Sequence, residues 1–119
     1  IKIFMDLSIV IPCLNEIETI EICISKCKTA LQKLNIKAEI ILADNGSTDG
    51  SIEKAKELGV KVVNIKKKGY GNALKGGINS ATGKYIVMAD CDNSYDFLQL
   101  DKFYNKLKSG FDIVQGCRF

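Results

Sequence analysis

Apolar residues in this chain follow two spacings. Compact runs rich in β-branched residues, LSIVIP (7–12), AEIILA (38–43), VKVVNI (60–65), KYIVMA (84–89) and DIVQG (112–116), read as strands, the first closed by the only proline, Pro12. Between the runs, apolar positions fall three and four residues apart. From Glu16 to Leu34, Ile17, Ile20, Ile24, Cys27, Leu31 and Leu34 form one stripe of an amphipathic helix. The segment DGSIEKAKELG (49–59) sets cap-type residues before a helical run and Gly59 after it. A further helix is expected from Asn72 to Ala81. Another is expected over 97–108, opened by Asp96 and Gln99 in a capping-box arrangement and closed by Gly110.

Strands alternating with helices imply βαβ units with right-handed crossovers. The expected fold class is therefore α/β and Rossmann-like, a mostly parallel sheet with helices on both faces. A length of 119 residues suits a single domain over 1–119. Ligands of such sheets bind beyond the carboxyl ends of the strands. In this chain those ends are polar: Pro12–Glu16, Asp44–Asp49, Lys66–Gly71 and Asp90–Asp92.

Asp90 and Asp92 are the most informative of these residues. Two apart in an extended segment, they point to one side, with Cys91 turned away. Like charges so close are unfavourable unless a cation or proton lies between them. All-oxygen ligands suit a hard ion, Mg²⁺ or Mn²⁺, of the kind that bridges carboxylates to substrate phosphates. A solvated turn is the plainer reading of an isolated D-x-D, but this pair ends a buried strand at the ligand-binding rim. On the second strand, Asp44 is expected to be free for a base or ribose, because a strand-tip acid has nothing to cap. Asp49 is accounted for by capping.

The segment KKKGYGNALKGG (66–77) fits neither of two phosphate-binding patterns. Gly71 and Gly76 are followed by Gly77 where a P-loop needs lysine, and Leu74 stands where the dinucleotide fingerprint needs its third glycine. What remains is a lysine-flanked glycine turn before a helix, an arrangement that favours anions.

Composition narrows the field. The net charge is +3, and a single arginine accompanies the lysines among 17 basic residues. A dedicated nucleic-acid binder would carry a larger basic excess with more arginine, so no nucleic-acid partner is expected. Five scattered cysteines without a histidine read as free thiols of a reducing compartment, with Cys23 and Cys27 packed in the core rather than holding zinc. No apolar run reaches the ~20 residues that span a bilayer. The expected location is the cytoplasm, including the cytoplasmic face of a membrane.

Taken together, these segments resemble the family 2 glycosyltransferases of the GT-A fold. LSIVIPCLNEIETI is similar to that family's opening strand with its P-x-x-N-E turn, and ILADNGSTDGS to its V-D-D-G-S-x-D-x-[ST] segment. KKKGYGNALKGGINSATGKYIVMADCD is similar to its glycine turn and D-x-D stretch. NSYDFLQLDKF and DIVQGCRF resemble the branch that transfers sugars to polyprenyl or dolichyl phosphate.

The resemblance implies a nucleoside diphosphate sugar as donor, a polyprenyl phosphate or other acceptor, a divalent metal and inversion at the anomeric carbon. It assigns Pro12, Asn15, Glu16 and Asp44 to the nucleoside, Asn45 to the nucleotide site, and Asp90 and Asp92 to metal and catalysis. Lys67 or Lys68, with Gly69 and Gly71, would serve the nucleotide, and Arg118 the phosphates. Asn45 stands where the family has aspartate, Leu14 where it has an aromatic residue and Cys91 where it has alanine. The first change is expected to loosen or alter nucleotide choice, the other two to alter packing more than chemistry.

The family's catalytic domain is roughly twice as long, so only its nucleotide-binding half is matched and the acceptor half is expected to be absent. Three rival readings follow: a nucleotide-sugar-binding fragment without turnover, a sugar-1-phosphate nucleotidyltransferase, and a non-enzymatic module. PCLNEIE lacks the glycine and the base that a nucleotidyltransferase carries after its first strand. Without its second half, the apolar edge of the fourth strand is expected to recruit a second copy or the 112–116 strand.

Overall fold

A computed structural model describes residues 5–91 and 100–110. In chain order its elements are β1 (Met5–Cys13), α1 (Ile20–Leu34), β2 (Ala38–Asp44), α2 (Ser51–Glu57), β3 (Lys61–Asn64), α3 (Tyr70–Ser80), β4 (Gly83–Met88) and α4 (Leu100–Lys108). The 112–116 strand, the Asp96–Gln99 capping box, Asp92 and Arg118 lie outside the described residues.

The strands form one parallel sheet in the order β3-β2-β1-β4, as the alternating pattern predicts. β1 lies between β2 and β4, and every residue from Leu7 to Cys13 is buried. A strand covered on both faces needs a continuous apolar run rather than alternation. Leu7, Ile9 and Ile11 pack with Ile20, Cys23, Ile24, Cys27, Ala55, Leu100 and Tyr104, so α1, α2 and α4 cover one face. Val10 and Ala43 meet Ala73 and Leu74 of α3 on the other. Gly77 permits that approach, because a Cβ there would lie 2.4 Å from Val10 Cγ1.

The first helix departs from the apolar stripe. It begins at Ile20 rather than Glu16, and Ile17 is exposed. The reason is a contact with a distant segment: the N–H groups of Asn15, Glu16 and Ile17 bond to side chains of the loop after β2 and the first residue of α2, at Ser47 Oγ (2.9 Å), Ser51 Oγ (3.0 Å) and Asp49 Oδ2 (3.0 Å).

At the opposite end of the sheet, Glu39 joins three strands. Its Oε2 accepts from the Ser8 hydroxyl (2.5 Å) and from the Thr82 N–H (2.6 Å) and hydroxyl (2.8 Å). The Ser8 hydroxyl in turn accepts from Gly83 N–H at 2.8 Å.

Candidate functional site

The turn after β1 and the loop after β2 hold each other. Asn15 adopts φ +53°, and its Oδ1 accepts from Thr48 N–H at 2.8 Å. Asp49 Oδ1 accepts from the Ser51 N–H (3.0 Å) and hydroxyl (2.6 Å), which caps the start of α2 as expected. The Ser51 hydroxyl, with the N–H groups of Ile17 and Ser51, holds the Asp49 carboxyl below the usual carboxylate range.

Asp44 requires a correction. Far from having nothing to cap, it is buried and closes its own turn. Oδ2 accepts from Gly46 N–H (2.9 Å) and Ser47 N–H (2.8 Å), and Oδ1 from the Ser47 hydroxyl (2.5 Å). This is the short-range bonding that Asp favours in turns.

Asn45, also buried, reaches across to the turn after β3. Its Nδ2 donates to the carbonyls of Ile65 and Lys67, both at 3.0 Å, and its Oδ1 accepts from Gly69 N–H at 2.8 Å. Lys68 Nζ donates to the Asn45 carbonyl at 2.8 Å. Gly69, at φ +118°, sits where a side chain would be strained.

Beyond β4, Asp90 is half-buried while Cys91 is buried, so the alternation expected from the sequence holds at these two positions. The Tyr70 hydroxyl donates to Asp90 Oδ1 at 3.0 Å. Thr19 Oγ1 donates to the Cys91 carbonyl at 2.7 Å, and Cys23 Sγ donates to the Asp90 carbonyl at 3.3 Å. The Cys91 thiol meets those of Cys13 and Cys23. The Cys13 thiol first, then that of Cys23 and burial, push the Cys91 pKa far up. Cys13 is lowered by its hydrogen bond with Cys91, against the opposing effect of burial.

These segments enclose an open pocket of about 410 Å³ lined by residues of all four strand ends. Of the residues singled out in the sequence, Pro12, Leu14, Glu16, Asn45, Lys68, Gly69, Asp90 and Cys91 line it. Asn15 and Asp44 are not in the lining; they brace its loops. Lys67 offers its carbonyl to Asn45, and Gly71 falls in the first turn of α3; neither lines the pocket. Sequence reasoning passed over Tyr70, Thr19, Cys13 and Ala73. Tyr70 is hidden inside a stretch read for its lysines and glycines, although an aromatic residue between two glycines after a strand is a usable signal.

The Glycosyl transferase family 2 profile matches residues 8–119. The chain belongs to this family. Among family 2 relatives, it is 42% identical over 113 residues to the low-salt glycan biosynthesis hexosyltransferase Agl6 of Haloferax volcanii, covering 94% of this chain and 27% of that protein. It is 37% identical over 120 residues to a dolichol-phosphate mannosyltransferase of Pyrococcus furiosus, covering 97% and 34%. This family 2 chain thus spans about a third or less of the length of these relatives. Its structure is similar to glucosyl-3-phosphoglycerate synthase of Mycobacterium tuberculosis in complex with Mn²⁺, UDP and glucosyl-3-phosphoglycerate. The TM-score is 0.76 at 28% identity, over 89% of this chain and 40% of that one. The sheet and its covering helices are accordingly the Rossmann-like part of a GT-A fold.

Proposed function

We propose that residues 1–119 form the donor-binding part of a glycosyltransferase that moves a sugar from a nucleoside diphosphate to a polyprenyl phosphate. The observation that carries this reading is the meeting of Glu16, Asn45, Lys68 and Asp90, one from each strand end, in one pocket. The names of both relatives support the sugar-transfer class, and that of the Pyrococcus protein supports the lipid phosphate.

The pocket's donor set suits a hard divalent ion, Mg²⁺ or Mn²⁺. The Asp90 carboxylate is hydrogen-bonded and half-buried rather than withdrawn into the core. Among the described residues no group of three or more acidic, cysteine or histidine side chains could hold a metal by itself. An ion of this kind, held by Asp90 and Asp92, would take substrate phosphate and water as further ligands. When bound, such an ion supplies Lewis-acid stabilisation of the departing diphosphate.

The chain's own residues bind and orient. Lys68 presents an ammonium towards the developing negative charge. The Tyr70 hydroxyl fixes the Asp90 carboxylate. The acceptor phosphate oxygen forms its bond to the anomeric carbon as the bond from that carbon to the diphosphate breaks. That oxygen is already anionic at neutral pH, so no strong general base is needed. The sequence contains no histidine to provide one. Inversion is what the family implies for this single displacement.

No helix of the described residues is long and apolar enough to cross a membrane. A polyprenyl phosphate would place the chain at the cytoplasmic face of one. The deciding experiment is calorimetric titration of UDP-glucose and GDP-mannose, with and without Mn²⁺, on wild type and Asp92→Ala. Metal-dependent binding of one donor, lost in the variant, is the expected result. Absence of binding to either donor overturns the reading.

A further inference from the structure

We propose that Asn45 is a positioning residue whose amide fixes the 65–69 turn so that the ammonium of Lys68, among three consecutive lysines, is delivered to the pocket for the diphosphate. This rests on reading the pocket as a nucleoside diphosphate site.

The argument begins with the amide's bonding capacity. A primary amide has two N–H donors and one carbonyl acceptor. Both donors of Asn45 are spent on the carbonyls of Ile65 and Lys67, and Oδ1 accepts from Gly69 N–H. The side chain therefore has no N–H left for a base or a phosphate, although it lines the pocket.

What the three bonds hold is a turn carrying Lys66, Lys67 and Lys68, all exposed. With the Lys67 carbonyl and Gly69 N–H both fixed, the residue between them has its direction set. Lys68 folds back onto the tip of β2, where its Nζ donates to the Asn45 carbonyl. Gly46 leaves the space for it, since a Cβ there would lie 2.4 Å from Lys68 Nζ. Backbone and side chain of Asn45 thus act on the same lysine. Lys68 lines the pocket and Lys67 does not.

The isosteric Asn45→Asp isolates this role. A carboxylate keeps an acceptor for Gly69 N–H but has no donor, and it sets negative charge against two carbonyl oxygens in a buried place. The expected outcome is about tenfold weaker binding of UDP or GDP in the presence of Mn²⁺. Amide hydrogen exchange over residues 66–70 should quicken in the ligand-free variant.

Lys68→Met serves as the second variant. It should weaken diphosphate binding to a similar degree without quickening exchange, and the double variant should lose little more than either single change. Unchanged exchange in Asn45→Asp overturns the clamp. Quicker exchange with undiminished diphosphate affinity, or losses that simply add in the double variant, overturns the delivery of Lys68. If wild type binds neither UDP nor GDP, the donor-site reading and the delivery of Lys68 to a diphosphate fall together, while exchange still decides whether Asn45 holds the turn.

Discussion

The hydroxyl of Tyr70, at the start of α3, donates to Oδ1 of Asp90 at 3.0 Å. An aromatic side chain 60% exposed thereby fixes the acid just beyond β4. A carboxylate oxygen has two lone pairs, so it can accept the phenol and still face a cation. Groups that orient a metal ligand through a hydrogen bond contribute to affinity without touching the ion. Tyr70→Phe is expected to weaken Mn²⁺ binding about tenfold and to leave metal-free nucleotide binding unchanged. Titration of Mn²⁺ in the presence of UDP or GDP measures the first, and titration of the nucleotide without Mn²⁺ the second. Tighter Mn²⁺ binding would show instead that the phenol competes with the ion.

Thr19 gives the same loop a second anchor, through the backbone. Its hydroxyl donates to the Cys91 carbonyl at 2.7 Å, tying the N-terminal end of α1 to the residue between the two acids. Thr19→Val keeps shape and removes the donor. The expected cost is about 1 kcal/mol in urea unfolding, with weaker Mn²⁺ binding because the acid-bearing loop is freed. Equal stability of the two proteins contradicts this role.

Cys91 separates packing from chemistry. Its side chain is 3% exposed and meets the thiols of Cys13 and Cys23. Cys91→Ala removes a buried sulfur and should lower stability by about 1 kcal/mol. Nucleotide and metal affinity should stay within about twofold, because the thiol, although Cys91 borders the pocket, is buried against those of Cys13 and Cys23. A large affinity loss at unchanged stability would place the sulfur in the site itself.

Much of this architecture is written in residue spacing. The alternating strand and helix periods, and Gly59 and Gly110 at positive φ after α2 and α4, are properties of short windows. Their readings agree with the structure to within a few residues. Where reading fails, the cause is a bond between segments distant in the sequence. The helix expected from Glu16 loses its first turn to Ser47, Asp49 and Ser51, some 32 to 35 residues away. Asp44 fails differently, because its partners Gly46 and Ser47 are close by. An Asp before Asn-Gly-Ser could have been read as a turn former. Asn45 looks like a weakened ligand in the sequence, and only the positions of the Ile65 and Lys67 carbonyls reveal why an amide suits the place.

Glu39 makes stability depend on pH. Burial acts to raise its pKa, but the Ser8 hydroxyl and the Thr82 N–H and hydroxyl outweigh it and hold the carboxyl below its usual value. A group lowered in the folded state contributes fully above its unfolded pKa, about 4.3, and loses that contribution as pH falls through the lower folded value. Glu39→Gln should therefore cost about 1 kcal/mol at neutral pH. The gap between the two proteins should close below about pH 4. Urea unfolding of both across this range checks the sign; a gap that widens in acid contradicts it.

The side of β4 away from β1 offers the last test. Among the described residues β4 pairs only with β1, so one row of its backbone N–H and C=O groups has no strand partner. Ile86 and Met88 face the same side of the sheet as Val10, in register with Ser8 and Val10. They stay 36% and 51% exposed, because α3 packs over β1, β2 and β3. An apolar strand edge of this kind is a template for a further strand. Two copies meeting edge to edge would extend the sheet through both and cover both pairs of side chains. We therefore expect 119-residue chains to self-associate as concentration rises, and Ile86→Lys with Met88→Lys to abolish it, since charge on an edge strand blocks pairing. Sedimentation velocity over a concentration series measures this. A wild-type chain that stays monomeric at its highest soluble concentration rules the pairing out, and association that persists in the double-lysine variant assigns it to another surface.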